Sequence, residues 1–392
     1  MRTHKVFMVA GEHSGDALGA NLMDALRAQS PTELVFAGVG GEQMEHRGLR
    51  SLFPLSDVAV MGPLSILPRL PRIVRRVYQT VNACLECDPD IVVIIDSPEF
   101  THPIAKRIRQ RKSDIPIVDY VSPSVWAWRP GRAKKMRPYV DHLMGILPFE
   151  PEAHHRLGGP PCTYVGHPMI EKLDWINSLD PAALAARLGL RAGAIPVVVL
   201  PGSRASEVTR LIDVFGATID CLASRGLDVH VLLPTISHLR ELVVDSTANW
   251  TVPVSMLDGD EDKFAAFKLA RGALAASGTV TLELALVGTP MVVGYRVDPL
   301  AARLRFLVNV PSVVLANLVL GENVIPEFIQ EECEVGGLCD ALMDIVVEGD
   351  VRSLQLDALA KVASKMRLPH GTPSSAAASE VLKVIETKAS TA

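Results

Sequence analysis

The run VFMVAGEHSGD, Val6 to Asp16, decides how the chain is to be read, because five apolar residues empty directly into a loop of small and acidic ones. A second run of the same kind, VVVLPGSRASE, spans Val197 to Glu207. Each loop is followed by a helical pattern. A buried strand that delivers Gly and Ser to a helix N-terminus gathers unpaired backbone N–H groups and the positive end of the helix dipole, which is how α/β sheets build ligand sites. Two such openings about half a chain apart predict two Rossmann-like α/β domains with parallel sheets facing a central cleft.

Working outward, short β-rich apolar runs alternate with 3.6-residue periodicity. Strands are expected at 5–10, 34–37, 90–96, 115–121, 141–147 and 163–166, and helices at 15–29, 71–87, 99–112, 131–138 and 168–177. Residues 174–195, with Asp180-Pro181 and a Gly/Ala/Pro stretch, read as an interdomain connection. The alternation then restarts, with strands at 196–200, 228–233, 252–257, 272–276 and 290–295 and helices at 206–225, 237–246, 261–271, 279–287 and 298–308. The domains expected are thus 1–178 and 179–372, and an amphipathic helix within 373–392 is expected to pack back on the first domain or on a partner subunit.

The 392 residues suffice for two separate cores, and 48% hydrophobic with 21% charged residues describes a well-buried globular chain. A formal charge of −5 advertises no basic face for nucleic acid. Six scattered cysteines, including the pair Cys84 and Cys87, read as reduced thiols of a cytoplasmic protein rather than a disulfide scaffold or a zinc site. The N-terminus runs straight into a strand, and no apolar stretch is long enough to span a bilayer, so the chain is expected to be soluble or to sit on a membrane surface.

The clearest ligand constellation lies in the second half. Gly202, Ser203 and Arg204 follow one strand, while Ser277, Gly278 and Thr279 follow another and open a helix that carries Glu283. Two such loops on one sheet edge offer N–H and hydroxyl donors to a diphosphate, Arg204 adds a fixed positive charge, and Glu283 is placed to accept from ribose hydroxyls. Either loop alone reads equally well as a helix cap or a turn. Neither is a P-loop, and GVGG at 38–41 lacks the third glycine of a dinucleotide fingerprint.

In the first half, Asp96 ends the DIVVIID strand, where a carboxylate can take a hydroxyl proton or can cap the following helix. Glu12 is a second carboxylate at the same edge, and Ser14 reads as a cap. The loop SPSVWAWRPGR, Ser122 to Arg132, holds two of the four Trp and two Arg, suited to clamping a sugar or an anionic head group, or else to roofing the core. Met61 to Tyr78 mixes Leu64, Ile66, Leu67, Leu70, Ile73 and Val74 with Arg69, Arg72, Arg75 and Arg76, as an interface with anionic lipid does, although a buried helix with a basic face shows the same pattern. DGDED at 258–262 has a metal-compatible spacing, with service to a helix N-terminus as the stronger reading.

These strings, VAGEHSGD at 9–16, IDSPEF at 95–100, YVSPSVWAWR at 120–129, LPFE at 147–150, VGHP at 165–168, LPGSR at 200–204, ASGT at 276–279 and QEEC at 330–333, resemble the lipid-A-disaccharide synthase family nearly end to end. The resemblance implies a GT-B architecture. It also implies transfer of 2,3-diacylglucosamine from its UDP derivative to 2,3-diacylglucosamine 1-phosphate, with inversion to a β-1,6 linkage and with no metal or other cofactor. On that footing Asp96 is the base with Glu12 beside it, and Ser14, Trp126, Arg129 and Asn317 lie on the acceptor side. Gly202, Ser203, Arg204, Ser277, Gly278, Thr279 and Glu283 hold UDP, and Glu327 lies near the cleft. Leu64, Ile66, Leu67, Arg69, Leu70, Arg72, Arg75 and Arg76 would meet the cytoplasmic face of an anionic inner membrane, with a homodimer possible. His13, Glu99 and Ala316 depart from the family pattern, which expects Thr, Asp and Pro there. Two other functions fit the residues: a UDP-sugar 2-epimerase of the same fold, and a non-catalytic protein closing on a small ligand.

Overall fold

The computed structural model describes residues 3–59, 69–298 and 310–391. They form two compact units, the first built from residues 1–171 and 368–392 and the second from 172–367. Unit 1 is a seven-stranded sheet in the order β3-β2-β1-β4-β5-β6-β7. Its strands are β1 His4–Ala10, β2 Leu34–Val39, β3 Arg50–Ser51, β4 Ile91–Ile95, β5 Ile117–Tyr120, β6 His142–Gly145 and β7 Cys162–Tyr164, all parallel. The helices are α1 His13–Gln29, α2 Glu42–His46, α3 Leu70–Cys87, α4 Pro98–Arg111, α5 Gly131–Met136 and α6 Glu150–Arg156. Because helices cover both faces, β4 is buried at every position, and its sequence is an unbroken apolar run rather than an alternation.

Unit 2 repeats the plan with six parallel strands in the order β10-β9-β8-β11-β12-β13. They are β8 Ile195–Leu200, β9 Val229–Pro234, β10 Val254–Leu257, β11 Gly272–Ala275, β12 Met291–Tyr295 and β13 Glu327–Ile329. Its helices are α7 Leu173–Ser178, α8 Pro181–Arg187, α9 Ala205–Ser224, α10 Arg240–Thr247, α11 Gly259–Leu269, α12 Thr279–Val287, α13 Leu315–Leu320, α14 Val335–Val346 and α15 Asp350–Met366. Residues 174–195, expected as a connection, thus contribute α7 and α8, which pack on α11. The expected helix at 298–308 lies almost wholly outside the described residues.

The chain then returns to unit 1 as α16, Pro373–Thr391, which packs along α1. Ala377, Ala378, Val381 and Ile385 join Val6, Met8, Val118 and Tyr120 in the core on that face of the sheet. Phe7, Val9, Val92 and Ile94 point the other way, into a core closed by Val77 and Val81 of α3 and Ile104 and Ile108 of α4.

One expectation about the cysteines is corrected. Cys221 of α9 and Cys339 of α14 are joined in a disulfide inside the unit 2 core, their Cα atoms 6.3 Å apart across 118 residues of sequence. Cys84, Cys87, Cys162 and Cys333 are free. Cys84 is buried, and desolvation raises its thiol pKa to about 12, in keeping with a packing role rather than a reactive one.

Candidate active site

In each sheet the strand order reverses at one place, between β1 and β4 in unit 1 and between β8 and β11 in unit 2. Ligands of open α/β sheets bind outside the carboxyl ends of the strands at such a switch point. The loop after β1 carries Glu12 and Ser14, and the loop after β4 carries Asp96; the strands are in register with Ala10 opposite Ile95. The loops after β8 and β11 carry PGSR and SGT, with Leu200 opposite Ala275.

At the unit 1 edge, Asp96 does not cap α4, because Ser97 occupies that position. Its carboxylate accepts the Ser97 N–H through Oδ1 at 2.7 Å and the Ser14 hydroxyl through Oδ2 at 3.1 Å. The Asp96 carbonyl accepts from the Thr101 hydroxyl at 2.8 Å. Glu12 is the N-cap residue of α1, half-buried, and its side chain makes no capping bond. The backbone here is strained: Asp96, Ser97 and Val121 have φ of 53°, 44° and 81°. Left-handed conformations of this kind cost non-glycine residues on the order of 1–3 kcal/mol each, most for a β-branched side chain, and persist where surrounding packing over-determines them.

The Trp-Arg loop divides into two parts. Trp126 is fixed from below: its indole N–H donates to Glu150 Oε1 at 3.2 Å and its ring meets Phe149 edge-on at 5.1 Å. Glu150 is buried, and its Oε2 also accepts the N–H groups of Ile146 and Leu147 at 2.8 and 2.9 Å. Desolvation lifts its pKa to about 7 despite those donors. Trp128 and Arg129 are exposed, with the Arg129 guanidinium 4.1 Å above the Trp128 ring. Trp126 is thus held by the scaffold, while Trp128 and Arg129 stand free at the surface of the loop. The glycine stretch 38–41 is accounted for too: the Asp16 carboxylate fills the start of α2, accepting from the N–H groups of Gly41, Gln43 and Met44 at 2.8 to 3.1 Å.

Unit 2 holds a cavity of about 660 Å³ at the ends of four strands, with Leu200, Pro234, Leu257 and Ala276 at its base. All seven residues assigned from sequence to the nucleotide line it: Gly202, Ser203, Arg204, Ser277, Gly278, Thr279 and Glu283. Both adjoining helices, α9 and α12, begin without a side-chain cap, which leaves first-turn N–H groups for a ligand. The volume lies in the range of small-molecule sites.

Three supports were not legible as such. Glu207, three residues into the α9 opening, accepts from the Ser203 N–H at 3.0 Å, the Arg204 guanidinium at 2.8 Å and the Tyr295 hydroxyl at 3.3 Å. A Glu at the third position of a helix was the available signal. Lys263 pairs with Glu283 at 2.6 Å, so a ribose hydroxyl would share that carboxylate with an ammonium. The Ser277 hydroxyl donates to the Val313 carbonyl at 2.8 Å, and Glu327 holds that segment by accepting from the Ser312 hydroxyl and the Val313 N–H, both at 2.9 Å.

Asn317, expected on the acceptor side, is corrected to an internal staple of unit 2. It is 1% exposed, and its amide is spent on Ser312, Ile325 and Val324. In DGDED, Asp258, Asp260 and Asp262 are each taken by a cation, Arg240, Lys172 and Arg187 respectively. Of the lipid-facing set, Leu64, Ile66 and Leu67 lie outside the described residues. Arg69, Leu70, Arg72 and Arg75 are exposed on the first turns of α3. Arg76 is not: it turns inward to Asp57 at 2.5 Å and lies over the Phe53 ring. No helix among the described residues is long and apolar enough to cross a membrane.

Two parallel α/β units, each with an open ligand edge at its switch point, define a protein of the GT-B architecture. Solved structures agree on the fold. A putative UDP-N-acetylglucosamine 2-epimerase from Listeria monocytogenes aligns with a TM-score of 0.65 at 14% identity, over 99% of this chain and 97% of that one. MurG from Acinetobacter baumannii aligns with a TM-score of 0.58 at 11% identity, over 98% and 100%. Sequence goes further than fold. The chain belongs to the lipid-A-disaccharide synthase family: the family model described as lipid-A-disaccharide synthetase matches residues 6–381. It is 48% identical to lipid-A-disaccharide synthase of Bradyrhizobium diazoefficiens over 96% of each chain, and 39% identical to that of Gluconobacter oxydans over 97% of this chain and 90% of the other. It is accordingly a glycosyltransferase of lipid A biosynthesis.

Proposed function

We propose that the chain transfers 2,3-diacylglucosamine from UDP-2,3-diacylglucosamine to the 6-hydroxyl of 2,3-diacylglucosamine 1-phosphate. The observation that carries this reading is the unit 2 cavity, where two uncapped helix N-termini and Arg204 converge on one space of nucleotide size. The UDP diphosphate lies against Gly202, Ser203, Arg204, Ser277, Gly278 and Thr279, and the ribose reaches Glu283. Asp96 removes the proton from the acceptor hydroxyl, whose oxygen attacks the anomeric carbon on the face opposite UDP. The anomeric C–O bond breaks, the configuration inverts to β, and the departing negative charge is met by Arg204 and the α9 and α12 dipoles. Ser14 and the Ser97 N–H keep the base in a single rotamer. Glu12 and Arg129 complete the acceptor side, and no step calls for a metal.

Both substrates carry acyl chains, so the enzyme is proposed to work on the cytoplasmic face of the inner membrane. The exposed residues Leu70 and Val74, with Arg69, Arg72 and Arg75 around them, form the contact. The test is to incubate purified protein with the two acylated substrates and to look for disaccharide and UDP by mass spectrometry. Epimer formation from UDP-GlcNAc without acceptor, and no disaccharide, would overturn the transferase chemistry in favour of an epimerase.

A further inference from the structure

Between α3 and α4, unit 1 has a surface cavity of about 380 Å³ lined by Tyr78, Lys106, Arg107, Gln110 and Arg111. Three of these five side chains are cations, and among the described residues none of the three pairs with a carboxylate. Elsewhere in the unit, Arg47, Arg72, Arg76, Arg109, Lys112 and Arg132 each have one. The two guanidinium groups are nonetheless fixed. Arg107 donates to the Pro103 carbonyl at 2.9 Å and lies 5.1 Å from the Tyr78 ring centre, and Arg111 donates to Asn82 Oδ1 at 2.7 Å. Arg111, with Arg109, stands in the last turn of α4, where cations offset the helix dipole, but a dipole end amounts to roughly half a charge against the three cations of the cavity. Most of the positive charge is left for an external partner.

The cavity also has a direction. Tyr78 is the third member of an exposed stripe on α3, Leu70, Val74 and Tyr78, each four residues from the last and therefore on one helix face. An apolar stripe ending at an aromatic ring and then at unpaired guanidinium groups follows the order of depth in a lipid monolayer, from acyl chain through interface to phosphate.

We propose that Lys106, Arg107 and Arg111 form a binding site for the phosphate group of an anionic lipid, which seats the α3 stripe on the membrane. The proposal rests on the membrane contact given under Proposed function and adds its chemistry: guanidinium forks on a headgroup phosphate rather than a diffuse field alone. Charge complementarity selects the occupant, since the face combines exposed apolar side chains with cations that lack anions.

The experiment is co-sedimentation with vesicles of phosphatidylcholine alone and of phosphatidylcholine with phosphatidylglycerol, for the full chain and for the double variant Lys106→Gln/Arg111→Gln. A titration with inorganic phosphate, followed by NMR of the arginine side chains, runs beside it. The unaltered protein is expected to favour the anionic vesicles, and the variant to lose on the order of 10- to 30-fold in partitioning onto them, at about tenfold or less per cation. Its weaker association with neutral vesicles and its thermal melt should not change. The variant Leu70→Gln/Val74→Gln should lose association with both kinds of vesicle. Equal binding of anionic vesicles by the unaltered protein and the Lys106/Arg111 variant would overturn the site while leaving the membrane contact standing. No vesicle binding but saturable phosphate shifts of Arg107 would overturn both the lipid assignment and the membrane contact, and leave a site for soluble phosphate. Silence in both assays would overturn the site altogether.

Discussion

The two ligand edges of this molecule solve the same folding problem with opposite backbones. In unit 2 the chain turns out of β8 and β11 on glycines, Gly202 with φ 123° and Gly278 with φ 151°. In unit 1 it turns out of β4 and β5 on Asp96, Ser97 and Val121, all at positive φ and none of them glycine. Glycine reaches these angles without strain and leaves the backbone bare, so a phosphate can approach the N–H groups. A non-glycine residue costs conformational energy there but presents a side chain on a rigid elbow. Under the proposed function, the contrast matches a unit 2 that binds through its main chain and a unit 1 that acts through a side chain.

The sharpest way to break this contrast is at Asp96. Asp96→Ala is expected to lower turnover by roughly 10²- to 10⁴-fold, the range for a positioned general base, while UDP affinity measured by calorimetry stays within twofold. Turnover within a few-fold of the unaltered enzyme would remove Asp96 from the chemistry.

On the other side, Arg204→Ala should weaken UDP binding by roughly 10- to 100-fold, the loss expected for a hydrogen bond to a charged group. Gly202→Ala should do similar damage by a different route, because a Cβ there would sit 2.5 Å from Glu207 Cβ, on top of the strain of φ 123°. The readout is again UDP calorimetry.

A third test concerns the floor of the Trp loop. Burial raises Glu150 from 4.5 to about 7, so the protonated form is the one the fold favours. Its contribution to stability is complete below about pH 4.5 and is lost as pH rises through about 7, up to about 3 kcal/mol at 1.36 kcal/mol per pH unit. The Trp126 emission should titrate with a midpoint near pH 7, and Glu150→Gln should abolish that transition. The smallest effect is expected from Ser97→Gly. Relief of the left-handed strain should leave stability unchanged or higher by up to about 1 kcal/mol, while turnover drops several-fold as the elbow loosens. Unchanged turnover would mean that rigidity at Ser97 does not serve Asp96.

What could be read from sequence follows from how locally each feature is encoded. The strand-to-loop joins at Ala10 and Leu200 were legible because a buried parallel strand is a continuous apolar run and its exit loop is rich in small residues. The strands β3 and β13, two and three residues long, carry too little pattern to register. The helices α14 and α15 follow the last long strand, where strand-helix alternation no longer points to them, although their burial is regular. Long-range pairings left no local trace: Cys221 with Cys339, Trp126 with Glu150 and Arg76 with Asp57 are set by the fold. Asn317 shows the limit of reading a role from a motif, because an amide that could bind sugar is equally able to staple a loop.

The return of α16 to unit 1 has a consequence for the order of assembly. The face of the first sheet around Val6 and Met8 is closed by residues 377–385, which leave the ribosome after the whole of unit 2. Unit 2 is one continuous stretch and can complete its core while unit 1 still exposes apolar surface. Unit 1 is therefore begun before unit 2 and completed after it, and a nascent chain halted before residue 373 presents an open hydrophobic groove along α1.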